Sequence, residues 1–214
     1  MAKEQSAQKP RFFRSRYHLI LLVSYLAWWT YNAIYPVYLF DWFLENILVV
    51  ATLLFLWWIY PRVHFSNLSL TLFAVFLALH THGSHYTYAE SPLGFWISDL
   101  FGTERNHYDR IIHFGFGLLM FWPMREISNE VVGAKSRWVA LVGLLFIISM
   151  SAAYESMEWI TAIIVEPEAA MAFLAAQGDQ FDAQKDHALA IGGGIISFFI
   201  AKILATQNRL PKPS

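Results

Sequence analysis

Apolar residues fall in six long blocks along the chain, and polar residues are confined to the gaps between blocks and to one end of each. The blocks cover roughly 17–39, 43–60, 67–86, 108–124, 138–165 and 183–205. A helix that crosses a bilayer needs about 20 mostly apolar residues, so each block predicts a spanning helix. Pro36, Pro61, Pro92 with Gly94, Pro123 and Pro167 punctuate the ends of the first five. Proline lacks the N–H that a continuing helix uses, so these positions read as breaks. The expected fold is all-α: a polytopic membrane protein with one six-helix transmembrane domain over 17–205. A basic tail at 1–16 precedes it and a short tail at 206–214 follows, both cytoplasmic.

Composition agrees with this pattern. Charged residues make up 14% of the chain and hydrophobic ones 57%, whereas a soluble domain carries about 25% charged residues. Cysteine is absent, which excludes disulfides and thiolate metal sites. The start, "KPRFFRSRYH", resembles the basic region of a signal peptide, but no small-residue cleavage site follows a core of signal length, so the first block reads as an uncleaved helix.

Orientation follows the bias of lysine and arginine toward the cytoplasm. With the N-terminus inside, all of the 15 basic residues except Arg105, Arg110 and Lys185 lie on the cytoplasmic side. The acids divide the other way: only Glu4, Glu126 and Glu130 are inside. Nothing in this distribution calls for nucleic-acid binding, because topology already accounts for the basic residues.

Histidine sharpens the asymmetry. His80, His82, His85, His107, His113 and His187 all fall at the outer ends of the predicted helices, leaving His18 and His64 inside. Glu45 and Asn46 begin the second span, "HTHGSHYTYAE" ends the third, "ERNHYDRIIHF" begins the fourth, "YESMEW" lies in the outer half of the fifth, and "GDQFDAQKDHALAIGGG" opens the sixth. Residues three or four apart share a helix face. Asp109 with His113, Glu155 with Glu158, and Asp182 with Asp186 therefore each present a pair in one direction. Charges in hydrocarbon cost several kcal/mol unless paired or solvated, so a polar cavity open to the outer surface is expected.

Each cluster also has a structural reading. His80, His82 and His85 cannot share one ideal helix face, so either Gly83 loosens the helix end to let them bind a metal, or they sit at headgroup level as part of an aromatic belt. Asp109 and His113 form an acid/base or cation-binding pair, or else Glu104 and Asp109 satisfy the helix dipole beside Arg105 and Arg110. Glu155 and Glu158 share a proton, recruit a cation, or pair with Arg110 or Lys185. Asp179 or Asp182 caps the sixth helix, or the sixth helix is a further wall of a site, with Gly192, Gly193 and Gly194 permitting close helix contact.

Four motifs, "HTHGSHYTY", "ERNHYDRIIHFGFG", "YESMEW" and "QGDQFDAQKDHALA", in this order over nearly the whole chain, resemble the YjdF-like family of bacterial inner-membrane proteins, a family of unknown function. A weaker resemblance, carried by "DRIIHFGFGLL", the acid pair at Glu155 and Glu158, and "FDAQKDHALAIGGG", is to the VanZ-like membrane proteins linked to glycopeptide resistance. It implies that Asp109, His113, Glu155, Glu158, Asp182 and Asp186 occupy a shared polar pattern. The chain departs from that pattern at Ala190, where an amide is typical. The implied location is the bacterial inner membrane.

The leading functional expectation is a metal-dependent hydrolase or transferase acting at the outer leaflet on a membrane lipid or lipid-linked molecule. Mixed imidazole and carboxylate donors suit zinc, manganese or iron. Candidate ligands are His80, His85, His113, Glu155, Glu158, Asp182 and Asp186, and candidate catalytic groups are Glu155, Glu158, His113 and Asp109. Arg105, Arg110, Lys185 and Tyr86 are candidate substrate contacts, the cations through charge-assisted bonds to phosphate. The alternatives are a proton- or cation-coupled carrier and a non-catalytic binder of an amphiphile or cation. Against a carrier, "LSLTLFAVFLA", "FGLLMFWP" and "WVALVGLLFII" offer no polar relay through the inner halves, whereas carriers bind near the midplane. The HxxxH and HxxHH spacings of histidine-box desaturases are absent.

Overall fold

A computed structural model describes residues 15–133 and 136–207, so most of both predicted tails lies outside the described residues. It is helical, with no strand among those residues. The helices are α1 (Arg16–Asn32), α2 (Leu39–Ile59), α3 (Asn67–Tyr86), α4 (Pro92–Phe101), α5 (Tyr108–Glu130), α6 (Ser136–Ile164), α7 (Pro167–Leu174) and α8 (Asp182–Thr206), with a short 3-10 turn at Tyr88–Glu90. By length and composition, α2, α6 and α8 are each able to cross a membrane.

Several boundaries differ from the sequence reading. Helix α1 stops at Asn32, several residues before Pro36, and Asn32 turns its amide back onto the Trp28 carbonyl at 2.9 Å. Pro123 does not close its helix: α5 runs through it to Glu130. A proline interior to a helix frees one carbonyl a turn earlier, a cost that helices in packed apolar surroundings tolerate. Pro92 and Pro167 begin helices rather than end them, each standing in the first turn of α4 or α7. There the missing N–H is one that no helical carbonyl would have accepted. Gly83 leaves α3 regular through to Tyr86, and its bare Cα makes room for the Tyr88 ring: a Cβ there would lie 1.9 Å from a ring carbon.

Helix α5 is the hub, packing on α3, α6 and α8, with α1 outside α3. Its closest neighbour is α8, and small residues explain why. A Cβ on Gly117 would stand 1.8 Å from the Ala190 carbonyl oxygen, and one on Gly193 would stand 2.2 Å from that of Phe114. Neither position admits any side chain, so the backbones themselves are in contact. The Ser197 hydroxyl adds a bond to the Leu118 carbonyl at 2.6 Å. The apolar core around Phe121, Phe73, Phe65 and Ile147 fills the rest of the bundle.

Candidate functional site

The tight crossing of α5 and α8 places the first turns of both helices side by side, with the last third of α6 opposite. His113 stands at the centre. It is 7% exposed; its Nε2 lies 3.4 Å from Asp109 Oδ1 on the same helix, and its Nδ1 lies 3.3 Å from Glu155 Oε1 on α6. Two groups of potential donors result, each with ligand atoms within 4.8 Å of one another: His113 with Glu155 and Glu158, and Asp109 with Asp182 and Asp186. Helical spacing of three and four had predicted these pairs within each helix. Which helices would face each other follows from the glycine contacts.

Anionic groups outnumber cationic ones here. Arg105 meets Asp182 at 2.5 Å and Arg110 reaches it at 3.7 Å. The Oδ1 atom of Asp186, a residue 2% exposed, has no hydrogen-bond partner, and Glu155 Oε1 faces His113 without hydrogen-bond geometry. Buried carboxylates in such numbers require protons or a bound cation to balance them.

Of the two candidate ligands on α3, His80 and His85, neither joins these groups. His80 is 1% exposed, with Nε2 3.0 Å from the Glu45 backbone oxygen and Nδ1 2.5 Å from the Tyr88 hydroxyl. A carbonyl only accepts, so Nε2 carries the proton and Nδ1 accepts from Tyr88. Burial, followed by the charge of Glu45, pushes the Tyr88 phenol well above its ordinary range, which keeps it a donor. Both ring nitrogens of His80 are thus engaged. His85 donates Nδ1–H to the Asn32 carbonyl at 2.8 Å and so caps the end of α1. Tyr86 meets the His85 ring edge-on and lies tilted against that of His82.

Glu45 is the residue that sequence reasoning undervalued. It is 3% exposed on α2, its carboxylate accepts from Tyr154 Oη at 3.2 Å and lies 3.7 Å from His80 Nε2. The available signal was an acid inside an otherwise apolar span, one turn after Asp41.

Over this cluster lies a lid built from the loops before α5 and α8. Gln177 donates to the Asn106 carbonyl and accepts from its N–H, each at 2.9 Å, while Arg105 Nη1 donates to the Ala176 carbonyl at 2.7 Å. Asp179 receives Lys185 at 2.5 Å and Arg110 at 2.7 Å, and its other oxygen accepts the Phe181 N–H at 3.1 Å. The Lys185 bond, then that of Phe181, holds the Asp179 carboxyl down to about 2. Burial, then the charges of Arg110 and Arg105, lowers His107. No side chain caps the α8 N-terminus itself. Asp179 instead organises the turn before it, and Asp182 is engaged by arginine. Three of the four candidate substrate contacts, Arg105, Arg110 and Lys185, are therefore paired with aspartates, and Gln177 is a tie the sequence did not single out.

Beneath His113, His80 and Tyr154 opens a cavity of about 440 Å³ bounded by α2, α3, α5 and α6. Its remaining walls are almost entirely apolar, among them Phe55, Phe116, Met120 and Met150.

Apolar helices enclosing a buried histidine and carboxylate cluster at one end define the class as a polytopic membrane protein. The family model described as "Predicted membrane protein (DUF2238)" matches residues 17–207, and the chain belongs to that family. It is 34% identical over 165 residues to the inner membrane protein YjdF of Escherichia coli (strain K12), covering 76% of this chain and 77% of that one. The YjdF-like resemblance of the motifs is thereby established, and with it an inner-membrane location. The VanZ-like resemblance rests on its motifs alone. No solved structure matches the chain.

Proposed function

We propose that this protein is a metal-dependent enzyme whose His and carboxylate cluster acts on the headgroup of a membrane lipid or lipid-linked molecule at the outer leaflet. Six helices, α1, α2, α3, α5, α6 and α8, span the bilayer with both termini cytoplasmic, which puts the histidine-rich end outside. The charge asymmetry of the loops supports this orientation. Helix α4, with Trp96 and Phe101 exposed, lies along the interface beside the site.

One observation carries the metal reading: His113 stands between two sets of carboxylates, all buried but the half-buried Glu155, and Asp186 among them has an oxygen without a hydrogen-bond partner. His113, Glu155 and Glu158 supply one nitrogen and carboxylate oxygens, a donor set suited to zinc, manganese or iron. In that role Nδ1 faces the ion while Asp109 holds the Nε2–H, the carboxylate–imidazole arrangement that orients ligating histidines. A cation bound there lowers the pKa of a water ligand or polarises a phosphoryl or carbonyl oxygen. Asp186, outside that donor set and with an oxygen free of hydrogen bonds, would then be placed to take or return a proton. The apolar depth of the cavity below His113 speaks against a cation carrier, which needs a polar route onward.

Elemental analysis of purified wild type beside His113→Ala and Glu158→Gln tests this. The expected result is about one equivalent of a transition metal in wild type, lost in both variants. A metal-free but folded wild type would overturn it and leave the cluster as a proton-sharing network.

A further inference from the structure

Resting on that reading and deepening it, we infer that the cavity beneath His113 holds one aliphatic chain of the substrate, which enters from the bilayer between α2 and α6 with its polar end at the His113 cluster beside Tyr154.

The lining is graded along one axis. On α5 it descends from His113 through Phe116 and Met120 to Met124, about 16 Å at the helical rise of about 1.5 Å per residue. That depth is close to half of the roughly 30 Å hydrocarbon core, so the cavity reaches about as far as one leaflet's chains do. Polar groups gather at its upper part, with the Ser151 and Thr52 hydroxyls the other polar side chains of the lining. The deeper walls are phenylalanine and methionine, and an apolar slot of this kind selects a hydrocarbon. Its volume of about 440 Å³ accommodates about fifteen methylene-sized groups, if each takes roughly the ~30 Å³ of a water in the liquid. That is one chain and not two.

The walls also show where the chain enters. Helices α2 and α6 are joined at the histidine-rich end by the Tyr154–Glu45 bond. Helix α7, which follows the same end of α6, packs on both; elsewhere α2 packs on α3, and α6 packs on α5 and α8. The wall between them is correspondingly open: Phe146 is 37% exposed and Met150 46% exposed, although both line the cavity. Three methionines, Met120, Met124 and Met150, line its length. Their flexible thioethers adapt to a chain without fixing its bends.

The aliphatic chain can come from an acyl lipid or an isoprenoid carrier, and the test separates them. Protein in bilayer nanodiscs is irradiated with a diazirine-bearing palmitic acid in one arm and a diazirine-bearing polyprenyl phosphate in the other, and adducts are mapped by peptide mass spectrometry. At least one probe should label Phe116, Met120 or Met150, and the arm that labels assigns the source. Ala51→Trp, which projects an indole into the cavity from an exposed position on α2, should cut that labelling about tenfold, and Met150→Trp should do so independently from α6. Labelling of the lipid-facing Trp57 and Ile163 should not change. Glu158→Gln, a change in the donor cluster at a residue outside the cavity lining, should keep the cavity adducts whatever its metal content, so loss of metal and loss of chain binding are told apart. Adducts confined to outward positions with both probes, or cavity labelling indifferent to both tryptophan variants, would overturn the inference.

Discussion

At one end of the bundle His18, 1% exposed, gives its Nε2–H to Asn67 at 3.0 Å and takes the Tyr60 hydroxyl on Nδ1 at 3.3 Å. Nearby, Glu126 accepts the Ser66 N–H at 3.0 Å. At the other end His113 is almost as buried, yet both of its nitrogens face carboxylates, and acids around it retain an oxygen without a partner. Both regions bury an imidazole beside a carboxylate, half-buried Glu126 at the first end and buried acids at the second. The first pairs its buried imidazole with an amide and a phenol, which is what stability alone asks for. The second leaves charge uncompensated, a cost that a folded protein sustains where something binds.

Substitutions that treat the two ends alike would break this comparison. The largest effect belongs to the contact that assembles the cluster. Gly193→Leu has no room before the Phe114 carbonyl and should cost more than about 3 kcal/mol, seen as loss of a cooperative thermal transition. Gly192→Ala next to it meets open space and should be silent. Next comes a paired histidine test. His113→Ala should weaken metal binding by more than about 100-fold, while His18→Ala should leave metal content intact and lower stability by about 1–3 kcal/mol through its orphaned partners. Equal effects on metal from both would erase the distinction.

Asp186→Asn sharpens it further. Removing an uncompensated buried charge should stabilise the metal-free protein by about 1–2 kcal/mol and lower metal affinity about 10- to 100-fold, a trade visible when thermal unfolding is compared with and without chelator. Tyr88→Phe takes the donor from His80 Nδ1 and should cost about 1 kcal/mol with metal stoichiometry unchanged. The smallest effect is at the lid. Asp179 is held down to about 2, below the unfolded value near 3.9, so its contribution is present above about pH 4 and is lost as pH falls through about 2. Lys185→Gln removes the first cause of that shift, and NMR titration of the Asp179 carboxyl should find it moved up.

The sequence made the helices and the polar end legible because both are written in local pattern. Apolar length marks a span, and spacing of three and four puts Glu155 with Glu158 and Asp182 with Asp186 on shared faces. Long-range facts were not so written. His80 and His113 look equivalent as letters, but one turns to Glu45 and Tyr88 while the other turns to Asp109 and Glu155. Only the packing of α3 against α2 and α5 decides that. Prolines misled in both directions: Pro123 lies inside α5, and Pro92 and Pro167 open α4 and α7, because a missing N–H is harmless at a helix start and tolerable within a packed apolar bundle. Glu45 passed as the polar start of a span because nothing local connects it to residues 35 and 109 positions away.

X-ray absorption at the edge of the bound metal tests the central claim most directly. The account predicts a first shell at about 2.0–2.2 Å of oxygen donors with a single imidazole, and a shell without imidazole scattering in whatever metal His113→Ala retains. A shell of several imidazoles, or one that His113→Ala leaves unchanged, would place the ion elsewhere and contradict it.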